Sequence, residues 1–453
     1  MTSITADFSS PTGIVGCPLV FGQQDSPQMA RLITGFMQQG FVFERLGLAI
    51  YNVVPKHITL ADYKANVNNV QDASTWNYGY LEKLRYFQQN ALGNKMIFMV
   101  TLAYAPPWLS CDGKTTGVPN DMGVWCDIVM KIGLYMKQFP SVRYIEVWNE
   151  PEGKFLTLGG SPYTDRTAAY LDIYLHTAQG IRASGWDVDI GGPAACHPYG
   201  NQQLCEAMLG NAAICDEVKF LSFHEYDEGA VCEAANLAAF QAVGARHGRP
   251  NIPVFLTEWN YTWKIEDCPL NSSSTDAISY VGRRLVNLLK AGYAGANIFR
   301  MAAATDNSKM GLNGLFVNNT FTPKVQAFQL LSSILGLGHG ESQIMETSAC
   351  PQRMAAVVAA VNSRGQAVLC AVNDRREACI VDFMLSGLRA HQEFEVTMYE
   401  ASAKNLTSTP RVLVRAVADA MGNVLLSSIL INEKSVAGLV ITLSPKLVMC
   451  GLP

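Results

Sequence analysis

The chain has 453 residues, 34 basic and 38 acidic for a net charge of −4, with 49% apolar and only 16% charged residues. That length exceeds one ordinary domain and suits an α/β barrel with an accessory domain, and the low charge implies a large core and excludes disorder. No basic stripe offers itself to nucleic acid and no polybasic run to a membrane, so neutral small molecules or neutral polymers are the expected partners.

The opening stretch, "MTSITADFSSPTGIVG", lacks the basic start and long apolar centre of a signal peptide, and no apolar run approaches the roughly 18 to 20 residues that span a bilayer. Residues 1–13 precede the first predicted barrel strand and are expected to add a strand to the C-terminal part of the chain. Residues 14–339 alternate between apolar runs of strand length and stretches with helical spacing, the βαβα pattern. The predicted strands are "IVGCPLVFG", "FVFERLGLA", "MIFMVTLAY", "YIEVWNE", "VDIGG", "FLSFHEY", "VFLTEW" and "ANIFRMA". Eight of them, interleaved with helices such as "SPQMARLITGFMQQG", "TAAYLDIYLHTAQGIRAS" and "PKVQAFQLLSSILG", predict a (β/α)8 TIM barrel. A doubly wound sheet is the rival, but no GxGxxG follows the first strand and there is no P-loop. From 340 to 453, short strands with turn residues between several of them, among them "AAVVAAV", "AVLCAVN", "CIVDFML" and "EFEVTMY", predict a β-sandwich.

Two predicted strands end on a carboxylate. "YIEVWNEP" puts Asn149 and Glu150 just past Val147 and Trp148, and "VFLTEWN" puts Glu258 before Trp259. A lone glutamate near a strand end is ordinarily solvated or paired with an arginine. Two at the C-terminal ends of the fourth and seventh barrel strands, where barrel chemistry sits, are suited to splitting a glycosidic bond. Glu146 shares a side with Trp148 and Glu150 by strand alternation, and is a second carboxylate expected in the barrel interior. The histidines suggest no zinc: His176 lies in a helical pattern and His224-Glu225 lacks the HExxH spacing, so neither a metal nor a cofactor is expected.

"EVWNEP" together with "FLTEWN" resembles clan A glycoside hydrolases, and most of all glycoside hydrolase family 39, which includes β-xylosidases and exopolysaccharide hydrolases. The resemblance implies a retaining enzyme acting on a β-linked oligosaccharide or polysaccharide, with Glu150 as general acid/base and Glu258 as nucleophile. It implies that Asn149 holds the sugar 2-hydroxyl, that His224 and Tyr226 of "FLSFHEYD" line the sugar subsite, and that Arg45 of "FERLG" keeps the nucleophile ionised. A structural ion pair is the other reading of Arg45. Trp108 in "APPWLS" and Trp259 are candidates to stack on sugar faces, with core packing as the alternative. The segment "IFRMAAATDNSKMGLNGLF" departs from the Trp-rich eighth strand of the family's xylosidases and leaves the sugar open; Arg300 in it could meet an acidic sugar, although barrel packing or a salt bridge is the favoured reading of that arginine. The alternatives are therefore a clan A hydrolase of uronic-acid glycans, iduronidase-like or glucuronidase-like, and a non-catalytic carbohydrate-binding barrel.

Twelve cysteines and sequons at Asn260, Asn271, Asn318 and Asn405 point to an extracellular protein. Cys111 with Cys126 and Cys232 with Cys268 are the candidate disulfides, each able to pin a long loop.

Overall fold

The computed structural model describes residues 2–25, 33–89, 96–197, 202–226, 233–262, 274–299, 315–317, 320–349, 354–403 and 410–443. Strand β1 (Thr2–Gly16) leads into eight parallel strands that close a barrel: β2 (Gly22–Asp25), β3 (Phe43–Ala49), β4 (Ile97–Ala103), β5 (Val142–Val147), β6 (Asp189–Ala195), β7 (Val218–Tyr226), β8 (Val254–Asn260) and β9 (Gly295–Phe299). Between them run α1 (Ile33–Gln38), α2 (Leu60–Lys64), α3 (Glu82–Gln89), α4 (Met122–Met136), α5 (Arg166–Ala183), α6 (Gln202–Gly210), α7 (Glu233–Arg246) and α8 (Asp276–Ala291). Side-chain caps start the helices where the sequence supplies them: Asp121 accepts from the Val124 amide before α4, and Asp165 from the Thr167 and Ala168 amides before α5. All seven residues of β8 are buried, as expected for a strand covered by helices on one face and by barrel interior on the other. Leu19, Phe43, Met99, Phe220 and Phe255 fill the N-terminal end of that interior, leaving its C-terminal end to polar groups.

The remaining strands are the short hairpin β10 (Phe316–Val317) and β11 (Thr320–Phe321), then β12 (Ser342–Ala349), β13 (Ala356–Val361), β14 (Ala367–Asn373), β15 (Cys379–Ser386), β16 (Glu393–Ala401), β17 (Arg411–Val417), β18 (Val424–Ile431) and β19 (Ser435–Leu443). With β1, strands β12 to β19 form a nine-stranded sheet in the order β17-β16-β19-β14-β13-β12-β1-β15-β18. Side chains from β16, near one end of that order, share a core with side chains from β15 and β18 at the other, among them Val396, Phe383 and Leu426. The sheet therefore folds over itself as a sandwich. Alternation on its central strands divides the labour: Val357, Leu369 and Leu439 enter the sandwich core, whereas Val358, Val368, Cys370 and Val436 join the core of the barrel.

The first predicted strand needs correction. Val15 and Gly16 still pair with β12, Pro18 opens a short 3-10 turn, and the barrel begins at Gly22 instead of Ile14. The "PKVQAFQLLSSILG" helix is α9 (Val325–Phe328), continued by a π-helical stretch over Gln329–Ile334. Residues 26–32 of "SPQMARLITGFMQQG", including Met29 and Leu32, lie outside the described residues, as do Arg300, Asn271, Asn318, Asn405, Cys232 and Cys268. Cys111 and Cys126 are both free thiols: Cys111 points at the Asn120 side chain, 3.8 Å away, and Cys126 sits on α4 where that helix meets Gly180 of α5. The Asn260 sequon is buried, its amide donating to the Phe299 carbonyl, so it offers no surface for a glycan.

Candidate active site

Arg45 organises the polar end of the barrel. Strand β3 turns it inward, where it is 1% exposed, and its donors fan out to four groups. Nε reaches Glu146 Oε2 at 2.7 Å, Nη1 reaches Gln24 Oε1 at 2.7 Å and Glu258 Oε1 at 2.6 Å, and Nη2 reaches Asn149 Oδ1 at 2.9 Å. Glu146 is the barrel-interior carboxylate expected from alternation, and Thr101 Oγ1 also donates to its Oε2. Asn149 thus spends its carbonyl on Arg45 and keeps its amino group for another partner.

The two strand-end carboxylates face each other beside this cluster. Tyr226 donates its hydroxyl to Glu258 Oε2 at 2.6 Å. His224 Nδ1 stands 2.8 Å from Glu150 Oε1 and 3.5 Å from Glu258 Oε2, bridging the pair. Burial alone would push the Glu258 carboxyl up. The charges of His224 and Arg45 and the hydrogen bonds from Tyr226 and Gln24 outweigh it and hold the group below the ordinary carboxylate range. His224 shows the reverse balance, since burial disfavours its charged form but Glu258 and the bond to Glu150 raise it above the usual histidine value. The result is an ionised Glu258 beside a Glu150 exposed enough to meet a ligand.

One donor atom each from Glu150, His224 and Glu258 lies within 4.8 Å of the others, a spacing that could also hold a metal ion. The guanidinium of Arg45 on Glu258 argues against a second cation there, because the charge a metal would neutralise is already paired.

The backbone around the cleft is strained. Tyr104, Trp148, Glu150 and Ala194 all adopt left-handed φ values, 67°, 68°, 44° and 54°, which cost about 1 to 3 kcal/mol each and collect at functional sites. At Trp148 this turn breaks the strand alternation. The indole does not share a side with Glu146 but packs against Trp125 of α4, and the next residues rise to the cleft. The Glu150 amide is tied to the Ala194 carbonyl at 3.1 Å.

Of the eight site residues expected from sequence, Arg45, Asn149, Glu150, His224, Tyr226 and Glu258 come together. Trp259 does not. It is 0% exposed, stacks on Phe328 and lies under the guanidinium of Arg284, because the neighbour of an inward Glu258 must face the helices. Trp108 is half-buried, with its Nε1 on the Pro55 carbonyl and one face stacked on Tyr63. His176 lies inside α5 and bonds back to the carbonyl and carboxylate of Asp172 one turn earlier. Three residues of the cleft escaped sequence reasoning: Gln24; Tyr104, hydrogen-bonded to Asn149; and Cys196, hydrogen-bonded to Glu150 with a thiol that burial and the charges of Glu150 and Glu152 push up to about 12. Tyr104 was signalled by its place at a strand exit, as Glu258 was.

The family model of glycosyl hydrolases family 39 matches residues 112–373, more than half of the chain. No curated protein matches by sequence. Among solved structures, a glucosidase from Croceicoccus marinus aligns with a TM-score of 0.70 at 12% identity, over 98% of this chain and 99% of that one. The GH39 enzyme from Xanthomonas axonopodis pv. citri aligns at 0.66 and 14% identity, over 98% and 97%. A GH39 β-xylosidase from Caulobacter crescentus aligns at 0.64 and 15% identity, over 98% and 100%. At these identities the structural likeness shows the barrel-and-sandwich fold.

Proposed function

Because the chain belongs to glycosyl hydrolases family 39, and is thus a glycoside hydrolase with a carbohydrate substrate, we propose that it cleaves β-glycosidic bonds of a glycan with retention, by double displacement. Glu258 is the nucleophile and Glu150 the general acid/base. The observation that carries this reading is the approach of the two carboxylates, with an oxygen of each inside 4.8 Å. Retaining enzymes hold their carboxyl groups about 5 to 5.5 Å apart, whereas inverting enzymes need roughly 6.5 to 9.5 Å to admit a water. On this reading no water stands between carboxylate and sugar, and Glu258 attacks the anomeric carbon itself.

The surroundings fit the two roles. Arg45, Tyr226 and His224 keep Glu258 ionised and aimed, so it presents an electron pair at neutral pH. Glu150 gives its proton to the leaving oxygen as that bond breaks, then takes one from the water that attacks the glycosyl-enzyme. Asn149, its carbonyl fixed by Arg45, turns its amino group to the sugar 2-hydroxyl, a contact that strengthens in the oxocarbenium-like transition state. Trp108, half-buried with one face stacked on Tyr63, is the candidate to meet the apolar side of a pyranose ring with its other face.

Proton NMR of the first-formed product from an aryl β-glycoside panel tests the reading. A β-anomer is expected; an initial α-anomer makes Glu258 a base and overturns the mechanism. Inactivation by a 2-deoxy-2-fluoro aryl glycoside followed by peptide mapping should place the sugar on Glu258, and a label elsewhere removes its role.

A further inference from the structure

Gln24 leaves the first barrel strand beside Arg45, its neighbour across the β2–β3 ladder. A carboxamide has an acceptor end and a donor end, and which faces which partner is fixed here by the neighbours. Arg45 Nη1 donates to Gln24 Oε1 at 2.7 Å, and the same nitrogen donates to Glu258 Oε1 at 2.6 Å. Gln24 and Glu258 therefore converge on one guanidinium nitrogen. Turning the carboxamide over would point an NH2 at a guanidinium and a carbonyl oxygen at a carboxylate, unfavourable at both ends. Held as it is, the amide presents its donor to Glu258, and that hydrogen bond adds to those that hold the carboxyl ionised.

Resting on the reading of Glu258 as nucleophile, we propose that Gln24 is a positioning residue whose side-chain N–H stabilises the Glu258 carboxylate as it is expelled from the glycosyl-enzyme. In the first step a Glu258 oxygen forms the ester bond to the anomeric carbon, the bond to the leaving oxygen breaks, and Glu150 supplies its proton. In the second, water adds to the anomeric carbon, its proton passes to Glu150, and the ester bond breaks with its electron pair returning to Glu258. A donor on that carboxylate makes it a weaker base, hence a slightly poorer nucleophile and a better leaving group. Its loss is felt most in the second step.

The test uses Gln24→Met, which keeps the length and removes both polar atoms, and Gln24→Glu, which keeps the shape and adds a charge. With the 2,4-dinitrophenyl β-glycoside that the native enzyme turns over best, departure of the aglycone needs no proton, so the second step limits turnover. Gln24→Met should lower kcat about 10-fold to 100-fold, the range for one hydrogen bond to a charged group. KM should fall with it, and a burst of dinitrophenolate should coincide with a glycosyl-enzyme seen by intact-protein mass spectrometry. Gln24→Glu should move the acidic limb of kcat/KM upward, since a second carboxylate beside Glu258 disfavours its ionisation. Equal losses in both steps with no accumulated intermediate, or an acidic limb unmoved in Gln24→Glu, overturn the proposal. Failure of the fluoro-glycoside to label Glu258 in the native enzyme overturns the underlying reading instead, so the two outcomes are distinguishable.

Discussion

Arg45 Nη1 lies 2.6 Å from Glu258 Oε1, a contact made across the barrel interior between its second and seventh strands. The same guanidinium lies 2.6 Å from Glu146, so one cation serves two buried carboxylates. Removing one partner of a buried pair costs about 3 to 5 kcal/mol, because the charge left behind has neither water nor counter-ion. Arg45→Met should therefore lower the melting temperature and move the acidic limb of kcat/KM upward together. Adding Glu146→Gln should restore most of the stability but not the activity, since Glu258 still lacks its cation. Thermal denaturation and initial rates on the three proteins decide it: recovery of activity in the double variant would confine the importance of Arg45 to Glu146.

The pH dependence of stability follows from two opposed shifts. Glu258 is depressed in the folded state, so its contribution is complete above the ordinary glutamate value of about 4.3 and is lost as pH falls through the depressed one. His224 is raised, so its contribution is complete below about 6.5 and is lost as pH rises through the raised value. The groups facing the imidazole are Glu150, Glu152, Glu258 and Arg45, and burial raises the Glu152 carboxyl. Urea midpoints should thus decline on both sides of a plateau spanning mildly acidic pH, and His224→Gln should abolish the alkaline decline alone. An unchanged alkaline slope in that variant contradicts the bridging imidazolium.

Glu150 and Glu258 were legible in the sequence because a charge at the end of an apolar strand has few reasons to be there. The barrel and sandwich were legible because the run lengths change near residue 340. Gln24 was hidden by the strand that carries it: β2 has four residues, "GQQD", with no apolar run, and the longer run before it was read as the strand. Trp259 was misassigned although the alternation that turns Glu258 inward turns its neighbour outward. Trp148 could not be read by alternation at all, since its φ of 68° ends the period-2 pattern that such a reading needs. His224 and Tyr226 sit on the same inward face of β7 as alternate residues, a pattern visible in sequence, but their convergence on two different glutamates required the closed barrel.

Helix α8 joins the two halves of the molecule through a glycine. A Cβ on Gly282 would stand 2.3 Å from Val436 Cγ2 of β19, and Val436 is fully buried and β-branched, with little freedom to move aside. Gly282→Ala should cost about 1 to 3 kcal/mol, the range for overpacking a filled core, despite the better helix propensity of alanine. Val436→Ala in the same chain should recover part of that loss, a coupling that separate effects on helix and strand would not produce. Denaturant midpoints for the two single variants and the double variant measure it, and strict additivity would mean that the helix shifts away from the sheet at no cost.

The roles of the two glutamates separate by the anomer each variant makes when azide takes the vacated place. Glu150→Gln keeps the nucleophile but cannot deliver a proton, so hydrolysis of glycosides with poor leaving groups should fall by about 100-fold to 10,000-fold, the usual worth of general acid catalysis. A dinitrophenyl glycoside, which needs no proton, should still form the glycosyl-enzyme on Glu258. Azide entering on the face that Glu150 no longer guards with its charge then displaces Glu258 and gives a β-azide, with retention. Glu258→Ala keeps the acid but has nothing to attack the sugar. Its turnover should vanish, and azide in the space beside Tyr226 and Arg45 should attack the anomeric carbon directly and give an α-azide, with inversion. Proton NMR of the two azide products reads both assignments at once. The same anomer from both variants, or an α-azide from Glu150→Gln, would mean that the nucleophile and the acid have been exchanged or that neither carboxylate touches the anomeric centre.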